Sequence, residues 1–294
     1  MVDMKEHTSS AYVGVDIGGT NTRIGLFASL DVPHCRIVAK FPTQERYEEQ
    51  IERIVRAVAD IQDRQGVMVV GVGCSIAGQL AKDGRSVVVA PNLTTYVGMP
   101  FAQDIEARCN CPVRLAHDAV CGLLAEKRFG DLQSCERCAY LTVSTGTGAA
   151  IQLAKGKVAL TSSIEIGHQI LDGNTRVCLC GQVGCLETHT GGRQITLREG
   201  RSPAEITDTV FWEIFCAKLA IGLINLTMLT RVEAVALSGA IVLNKSLLLT
   251  QLQQSVNAIL CNTKLTLILA TLGENAPLIG AAQLLTVSES TILH

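Results

Sequence analysis

Two glycine-bearing turns carry the groups that bind phosphate. The first is Asp16-Ile17-Gly18-Gly19-Thr20-Asn21, and the second is Thr145-Gly146-Thr147-Gly148. Backbone N–H groups exposed at such turns form a concave anion site. Thr20 and Asn21 add side-chain donors, and Asp16 adds a carboxylate that could hold Mg²⁺ through water. Either turn alone could be an ordinary hairpin turn, but two of them, each opening one half of the chain, favour phosphate binding.

A cysteine cluster has the spacing of a metal site. Cys178, Cys180 and Cys185 lie within eight residues, and His168 lies ten residues upstream of Cys178 in the segment Glu165-Ile166-Gly167-His168. Zinc takes four tetrahedral ligands, and structural zinc sites use cysteine and histidine. The cluster therefore predicts a structural zinc site, with a redox site or unrelated buried thiols as alternatives.

Asp118 is the candidate general base. It follows an expected strand, Val113–Ala116, and precedes an expected helix, Val120–Phe129, at the kind of junction where α/β proteins place their sites. An aspartate with an ordinary pKa is ionised at neutral pH, as the base for a hydroxyl group must be. The alternative is that Asp118 only caps the helix.

The elements that position these residues alternate between strand and helix, which predicts an α/β class. In the first half we expect strands at 12–16, 23–28, 67–74, 86–90 and 113–116, and helices at 47–65, 100–110 and 120–129. In the second half we expect strands at 138–142, 149–153, 234–237 and 265–269, and helices at 204–229, 245–261 and 277–285. Both halves open with a strand, a Gly/Thr turn and a strand. This repeat predicts a duplication and two lobes with a cleft between them.

Composition favours small-molecule chemistry. The 294 residues are 48% hydrophobic and 18% charged, with a formal net charge of −2, so neither nucleic acid nor an acidic membrane is an expected partner. The start lacks a basic region followed by an apolar run, and the most apolar stretch, Ala217–Leu229, is too short to span a bilayer. We expect a cytoplasmic protein.

The two turns resemble the phosphate motifs of the superfamily of sugar kinases, actin and heat-shock ATPases. Ser238-Gly239-Ala240 resembles its adenosine motif, with Ala240 in place of the usual second glycine. The cysteine cluster and the segment 165–168 are similar to the hallmark of the ROK family. The resemblance implies an actin-like (ribonuclease H-like) two-lobed ATPase fold with duplicated βββαβα-type domains. The N-terminal lobe would be 1–117, to which a closing helix within 277–294 returns. The C-terminal lobe would be 118–276.

The resemblance also implies a function. ROK kinases phosphorylate a hexose with ATP and Mg²⁺, typically at the 6-hydroxyl, with structural Zn²⁺ orienting the sugar loop. Carried onto this sequence, Asp118 is the catalytic base. The sugar ligands are Asn92, His117, Asp118, Glu165, His168 and Glu187. The ATP and phosphate ligands are Asp16, Gly18, Gly19, Thr20, Asn21, Thr145, Gly146, Thr147, Gly239 and Ala240. The zinc ligands are His168, Cys178, Cys180 and Cys185.

His117 departs from the family pattern, which has asparagine before the base. It either marks a sugar other than glucose or weakens activity toward ordinary hexoses. The alternative function is a non-catalytic sugar or nucleotide sensor. A DNA-binding repressor is not expected, because only about a dozen residues precede the first turn. The resemblance also implies a homodimer, for which the apolar segment Val210–Leu229 could supply the face.

Overall fold

The computed structural model describes residues 9–156, 158–245 and 247–294. The first eight residues, on which the expectations about a leader sequence and a preceding domain depend, lie outside the described residues. The chain divides into two compact units. Unit 1 contains the described residues up to Ala125, Pro277–Ser288 and His294, and unit 2 contains Glu126–Ala276 and Glu289–Leu293.

The strands and helices follow in chain order. The described residues form thirteen strands: β1 Ser9–Ile17, β2 Asn21–Phe27, β3 Arg36–Pro42, β4 Val67–Ile76, β5 Gln79–Leu80, β6 Val87–Val89, β7 Val113–His117, β8 Arg137–Val143, β9 Thr147–Lys155, β10 Val158–Ile164, β11 Ala234–Ser238, β12 Thr266–Leu269 and β13 Ile292–Leu293. They also form nine α-helices: α1 Tyr47–Gln65, α2 Phe101–Cys109, α3 Asp118–Phe129, α4 Glu187–Thr190, α5 Gly192–Glu199, α6 Thr209–Thr230, α7 Ala240–Leu243, α8 Leu247–Asn257 and α9 Ala276–Gln283.

Unit 1 is built on a five-stranded sheet with the order β3-β2-β1-β4-β7. β1 pairs with β2 as an antiparallel hairpin across the first glycine turn, and β4 and β7 extend the sheet in parallel. Helix α1 buries Ile51, Ile54 and Val58, whose helical spacing in the sequence predicted this helix. Gly66 ends the helix in the left-handed conformation, with φ of 60°.

Unit 2 repeats this arrangement. Its sheet has the order β12-β11-β8-β9-β10-β13, so the five strands β10-β9-β8-β11-β12 match β3-β2-β1-β4-β7 position for position. β8 and β9 form the antiparallel hairpin across the second glycine turn, and β11 and β12 add in parallel. The common strand order confirms the α/β class and the duplication that the two hairpins predicted.

Helix α6 forms much of the core of unit 2. It buries Trp212, Phe215, Leu219 and Leu223 among the apolar side chains of that unit. Although it is long and apolar enough to cross a membrane by length and composition, these contacts are those of a core helix. The sequence prediction began this helix at Ala204, which is wrong: residues 203–205 form a separate 3₁₀ turn, and the Asp208 side chain caps α6 by accepting a hydrogen bond from the Val210 amide at 3.0 Å.

The third strand of each unit, β3 in unit 1 and β10 in unit 2, was not predicted from the sequence. β3 lies at a sheet edge and is largely exposed, and β10 alternates exposed and partly buried residues. Neither has the buried β-branched run that identified β4. The division between units falls within α3, after Ala125, and again after Ala276. The lobes expected at 1–117 and 118–276 remain a prediction about functional domains.

Candidate functional site

The first phosphate turn is fixed by backbone bonds. The Gly18 amide donates to the Asn21 carbonyl at 3.0 Å, which closes the turn between β1 and β2. Thr43 anchors the turn from outside, because its hydroxyl donates to the Gly18 carbonyl at 2.8 Å and its amide to the Thr20 carbonyl at 3.0 Å. Gly19, Thr20 and Asn21 are exposed. The turn therefore presents its glycine backbone and two polar side chains to solvent.

Asp16 lies at the start of this turn with both carboxylate oxygens engaged. It is the cross-strand partner of Arg23, whose Nη2 donates to Asp16 Oδ2 at 2.7 Å. The Ser75 hydroxyl donates to Oδ1 at 2.9 Å. Burial raises the pKa of Asp16 and outweighs the lowering by Arg23 and Ser75; the charge of Asp118 raises it further. The carboxylate is thus held in one orientation.

Asp118 and Asn92 lie near Asp16 in unit 1. β1, β4 and β7 are parallel, and in register Asp16 pairs with Ser75 and Ile76 with His117. The carboxyl ends of these strands therefore bring Asp16 and Asp118 to one edge of the sheet. A side chain on Gly19 would approach the Asn92 Cβ within 3.0 Å. Asn92 thus lies directly against the first phosphate turn.

His117 contacts the candidate base directly. Its Nδ1 lies 3.0 Å from Asp118 Oδ1, and the Ala119 amide donates to the same oxygen at 2.6 Å. Burial alone would raise the pKa of Asp118, but His117 and the Ala119 amide lower it more, so the net pKa lies below its usual value. The Asp118 side chain is still 30% exposed. It is therefore a carboxylate that stays ionised at neutral pH and remains accessible.

The second phosphate turn is tied to Glu187. The Ser144 amide donates to the Gly146 carbonyl at 2.9 Å, and the Thr147 amide donates to Glu187 Oε2 at 2.7 Å. The Thr147 hydroxyl, buried under the turn, bonds the Thr190 hydroxyl at 2.8 Å. Glu187 and Thr190 are the first and last residues of α4. This short helix therefore positions the second turn through one carboxylate and one hydroxyl.

His168 lies between Glu165 and the cysteine cluster. Its Nδ1 is 3.9 Å from Cys178 Sγ, and its Nε2 is 3.8 Å from Glu165 Oε2. The two residues lie at either end of a 3₁₀ turn in which the His168 amide donates to the Glu165 carbonyl at 3.0 Å. One ring nitrogen thus faces the thiols and the other faces a carboxylate.

The predicted zinc ligands converge. The ligand atoms of His168, Cys178, Cys180 and Cys185 all lie within 4.8 Å of one another, and the Cys180 and Cys185 sulfurs are 3.7 Å apart. Tetrahedral zinc with Zn–S bonds of about 2.3 Å would separate two sulfurs by about 3.8 Å. The donor set and its spacing therefore fit one zinc ion.

The pKa values of Cys180 and Cys185 are also shifted from the ordinary value for a thiol. Burial, with neighbouring Cys180 and Cys178, raises the pKa of Cys185 to about 12. Cys180 differs: although burial acts to raise its pKa, hydrogen bonds from Gln182 and the other thiols lower the pKa to about 7. Three thiolates this close repel one another unless a cation balances them. A bound cation would therefore favour the deprotonated form of all three thiols.

A cavity of about 610 Å³ lies in unit 2 beside the second turn. Its described lining is polar at several points and includes two cations, Arg193 and Lys245, but no carboxylate. The remaining lining residues are Ser144, Thr145, Gly192, Thr196, Ser202, Pro203, Ala204, Ala240, Ile241 and Asn244. The turn and the Ala240 segment, expected from sequence to bind phosphate and adenosine respectively, thus line the same cavity.

Gly239 allows this cavity to form. It has φ of 90°, and a Cβ on it would lie only 2.4 Å from the Val143 carbonyl oxygen. Only glycine accepts both that conformation and that approach. The glycine therefore lets α7 begin directly against the end of β8, so that Ala240 reaches the cavity wall.

Comparison with known proteins agrees with these motifs. A sequence model described as the ROK family matches residues 12–287, which include both phosphate turns and the Cys/His cluster. The chain belongs to the ROK family. That match covers most of the chain and is consistent with the strand order repeated in the two units.

Relatives of this ROK protein include both kinases and repressors. It is 28% identical over 194 residues to a glucokinase of Thermotoga maritima, an alignment covering 64% of this chain and 60% of the relative. It is also 28% identical over 204 residues to a xylose repressor of Caldicellulosiruptor bescii, covering 62% of this chain and 49% of that protein. The alignments thus span 49–60% of the length of these relatives.

Solved structures give the fold. The structure of a ROK family glucokinase from Streptomyces griseus in complex with glucose and AMPPNP superposes with a TM-score of 0.76 and 25% identity. It covers 93% of this chain and 98% of the glucokinase chain. ROK sugar kinases have the actin-like ATPase fold, and this chain shares it. The fold class inferred from the sequence is therefore confirmed.

Several residues of this ROK protein were not found from sequence. Arg193 and Lys245 line the cavity, Arg23 binds Asp16, and Arg176 donates to the buried His189 at 2.7 Å. None belongs to a glycine or cysteine motif. Arg23 alone had a local signal, because a hairpin of known register places it opposite Asp16; the others depend on tertiary contacts between separate elements.

Proposed function

We propose that this protein is an ATP-dependent sugar kinase that transfers the γ-phosphoryl group of ATP to a hexose hydroxyl, the 6-hydroxyl being the expected acceptor. The observation that carries this proposal is Asp118, an accessible carboxylate whose pKa lies below its usual value and whose Oδ1 is held by His117 and the Ala119 amide. The glucokinase relative and the glucokinase structure with glucose and AMPPNP support the same reaction.

In the reaction, Asp118 accepts the proton of the sugar hydroxyl while the oxygen of that hydroxyl forms a bond to the γ-phosphorus. The bond between that phosphorus and the bridging oxygen of ADP breaks, and ADP leaves with the electron pair. Because its pKa is low, Asp118 is a weak base, and proton transfer accompanies formation of the O–P bond. The hydrogen bonds to Oδ1 leave Oδ2 to accept the proton.

The donor nucleotide is assigned to the cavity of unit 2. Thr145 and Ala240 line it, and Gly146, Thr147 and Gly239 lie within two residues of these in the chain. In unit 1, the turn Gly18–Asn21 is assigned to phosphate binding. Mg²⁺ bound with ATP supplies charge neutralisation at the transferred group. Asp16 fits a water-mediated role toward it, because its oxygens already accept hydrogen bonds from Arg23 and Ser75.

The sugar ligands are assigned within each unit. Asn92, His117 and Asp118 lie at the carboxyl edge of the unit 1 sheet, and we assign them to sugar hydroxyls. In unit 2 we assign Glu165, His168 and Glu187 to the sugar. Polyol recognition needs fixed donors and acceptors, and the contacts of His117, His168 and Glu187 fix all three side chains.

Zinc is assigned a structural role. His168, Cys178, Cys180 and Cys185 would hold it, and binding through Nδ1 would fix the His168 ring with Nε2 toward Glu165. A bound ion would thus order the segment 165–187, which carries the sugar ligands Glu165, His168 and Glu187, and it would take no part in phosphoryl transfer.

A coupled assay of ADP release tests this function. The zinc-loaded protein would be assayed with Mg-ATP against glucose, allose, mannose, fructose, N-acetylglucosamine and N-acetylmannosamine. We expect sugar-dependent ADP release that strongly favours one hexose, and its identity would show what His117 selects. Equal, sugar-independent ADP release across the panel, or none at all, would contradict the proposal.

A non-catalytic sensor is the second candidate, because a xylose repressor is among the relatives and His117 replaces the usual asparagine. A sensor would bind sugar or nucleotide without turnover. Calorimetric binding of a sugar by protein that releases no ADP would favour this candidate over the kinase.

We also propose a cytoplasmic homodimer. The outer face of α6 exposes Val210, Ile214, Met228 and Leu229, of which Leu229 is 85% exposed. An apolar face of this kind is typical of a protein interface. Light scattering after size exclusion should give twice the chain mass of 31.4 kDa for the parent protein and the monomer mass for Ile214→Glu.

A further inference from the structure

The second phosphate turn has a carboxylate directly beside it. Glu187 Oε2 accepts the Thr147 amide at 2.7 Å, and a Cβ on Gly146 would also lie 2.7 Å from that oxygen. A negative charge this close to the turn opposes the binding of a polyphosphate there. A turn that binds the donor phosphates therefore needs a cation to offset Glu187.

Arg193 is placed to supply that cation. Its amide donates to the Thr145 carbonyl at 2.9 Å, and the preceding Gly192 amide donates to the Ser144 carbonyl at 2.8 Å. These two bonds attach the start of α5 to the second turn. Arg193 is exposed and lines the same cavity as Thr145. The backbone therefore holds Arg193 at the end of the cavity that the second turn forms.

Lys245, the other cation of the cavity lining, has a different placement. It follows α7, the helix that begins at Ala240 in the adenosine motif. Its Nζ donates to the Ile206 carbonyl at 3.3 Å and lies 4.5 Å from the centre of the Trp212 ring. Lys245 is thus anchored on the adenosine side, which leaves the phosphate end to Arg193.

We propose that Arg193 binds the polyphosphate chain of the donor nucleotide and offsets the charge of Glu187. A guanidinium suits this role because its planar donor fork matches two phosphate oxygens. The proposal rests on the assignment of the cavity to the donor nucleotide, and it identifies the residue that makes the cavity specific for a polyphosphate rather than a nucleoside.

Calorimetric titration with adenosine, AMP, ADP and ATP tests this role. Zinc-loaded parent protein would be compared with Arg193→Gln and Arg193→Lys at constant Mg²⁺, and Arg56→Gln, an exposed arginine on α1, is the matched control. We expect Arg193→Gln to weaken ATP binding about 10- to 100-fold and to leave adenosine binding within about twofold. Arg193→Lys should bind ATP more tightly than Arg193→Gln but more weakly than the parent. The control, Arg56→Gln, should bind ATP as tightly as the parent.

The offset itself is tested by the double variant Arg193→Gln/Glu187→Gln. Glutamine keeps an oxygen that can accept the Thr147 amide but carries no charge, so part of the ATP affinity lost in Arg193→Gln should return. Equal weakening of adenosine and ATP, or unchanged ATP affinity, would overturn the role of Arg193 while leaving the kinase proposal intact. Parent protein that binds no nucleotide would overturn both.

Discussion

Glu187 Oε2 accepts a hydrogen bond from the Thr147 amide at 2.7 Å, and this bond joins the segment after the cysteine cluster to the second phosphate turn. Glu187 is the second residue after the predicted zinc ligand Cys185, and Thr147 is part of the turn beside the cavity proposed for the donor nucleotide. One carboxylate therefore connects the loop that zinc would order with the turn that would hold phosphate.

Two substitutions of Glu187 should have different effects. Glu187→Gln removes the charge but keeps an acceptor for Thr147, so the KM for sugar should rise about 10- to 100-fold while ATP binding stays equal or tightens. Glu187→Ala removes the acceptor too, so both sugar and ATP should bind more weakly. Steady-state kinetics with each substrate varied would measure this. Glu233→Gln, an exposed acid of unit 2, is the control; identical profiles for the Gln and Ala variants would contradict the account.

His117→Asn should change the pH dependence of turnover. His117 helps to keep the pKa of Asp118 below its usual value against the effect of burial. Without His117 the pKa of Asp118 rises, so the base is already protonated at a higher pH. The acid limb of the kcat/KM profile therefore shifts to higher pH. Profiles from pH 4 to 8 would show the shift, with the exposed His34→Asn as control. Superimposable acid limbs would show that His117 does not act on the base.

Removal of zinc should destabilise the protein. The three thiols and His168 converge on one point, and binding energy at a structural zinc site contributes directly to folding. We expect one zinc per chain by elemental analysis, and a fall in Tm of at least about 5 °C on chelation or in Cys185→Ser. Cys261→Ser, which changes an exposed thiol outside the cluster, should keep both zinc and Tm. A chelator that leaves Tm unchanged would count against the site.

His189 should make the folded state sensitive to acid. Burial and the charges of Arg176, Lys218 and Arg198 lower the pKa of His189 to about 4. The unfolded chain, with a pKa near 6.5, binds a proton between these values that the folded chain does not, so stability is lost as pH falls from about 6.5 to 4.

The contribution of His189 to the loss of stability in acid is measured by comparing the parent protein with His189→Gln. Between pH 7 and 4.5, the free energy of unfolding of the parent should fall by about 2 kcal/mol more than that of His189→Gln, in which the amide oxygen can still accept from Arg176. Urea unfolding at both pH values gives the comparison, and acid release of zinc affects both proteins alike. Equal losses in the two proteins would show that His189 is not the titrating group.

The sequence predicted the parts of the fold that depend on local patterns. The helix 47–65 was predicted with its correct bounds because its apolar residues have a clear helical period and Gly66 ends it. The convergence of His168 with three cysteines followed from metal-ligand spacing. In contrast, β3 and β10 have no buried run, and the start of α6 depends on the cap at Asp208.

Other parts of the candidate site needed the tertiary structure. Arg193 lies in no recognisable motif, and only the bond from its amide to Thr145 places it at the phosphate turn. The contact of Glu187 with Thr147 joins residues forty positions apart. Such pairings arise from the packing of α4 and α5 on the second hairpin, and no local pattern in the sequence encodes them.

The most direct test of the central claim is phosphorus NMR of the reaction product. Zinc-loaded parent protein and Asp118→Asn would each be incubated with Mg-ATP and the preferred hexose. The parent should form a sugar 6-phosphate and ADP in equal amounts, and the variant should form it at least about a thousandfold more slowly with little change in the KM for ATP. Release of inorganic phosphate without a sugar phosphate, or equal rates in parent and variant, would contradict the assignment of Asp118 as the base of a sugar kinase.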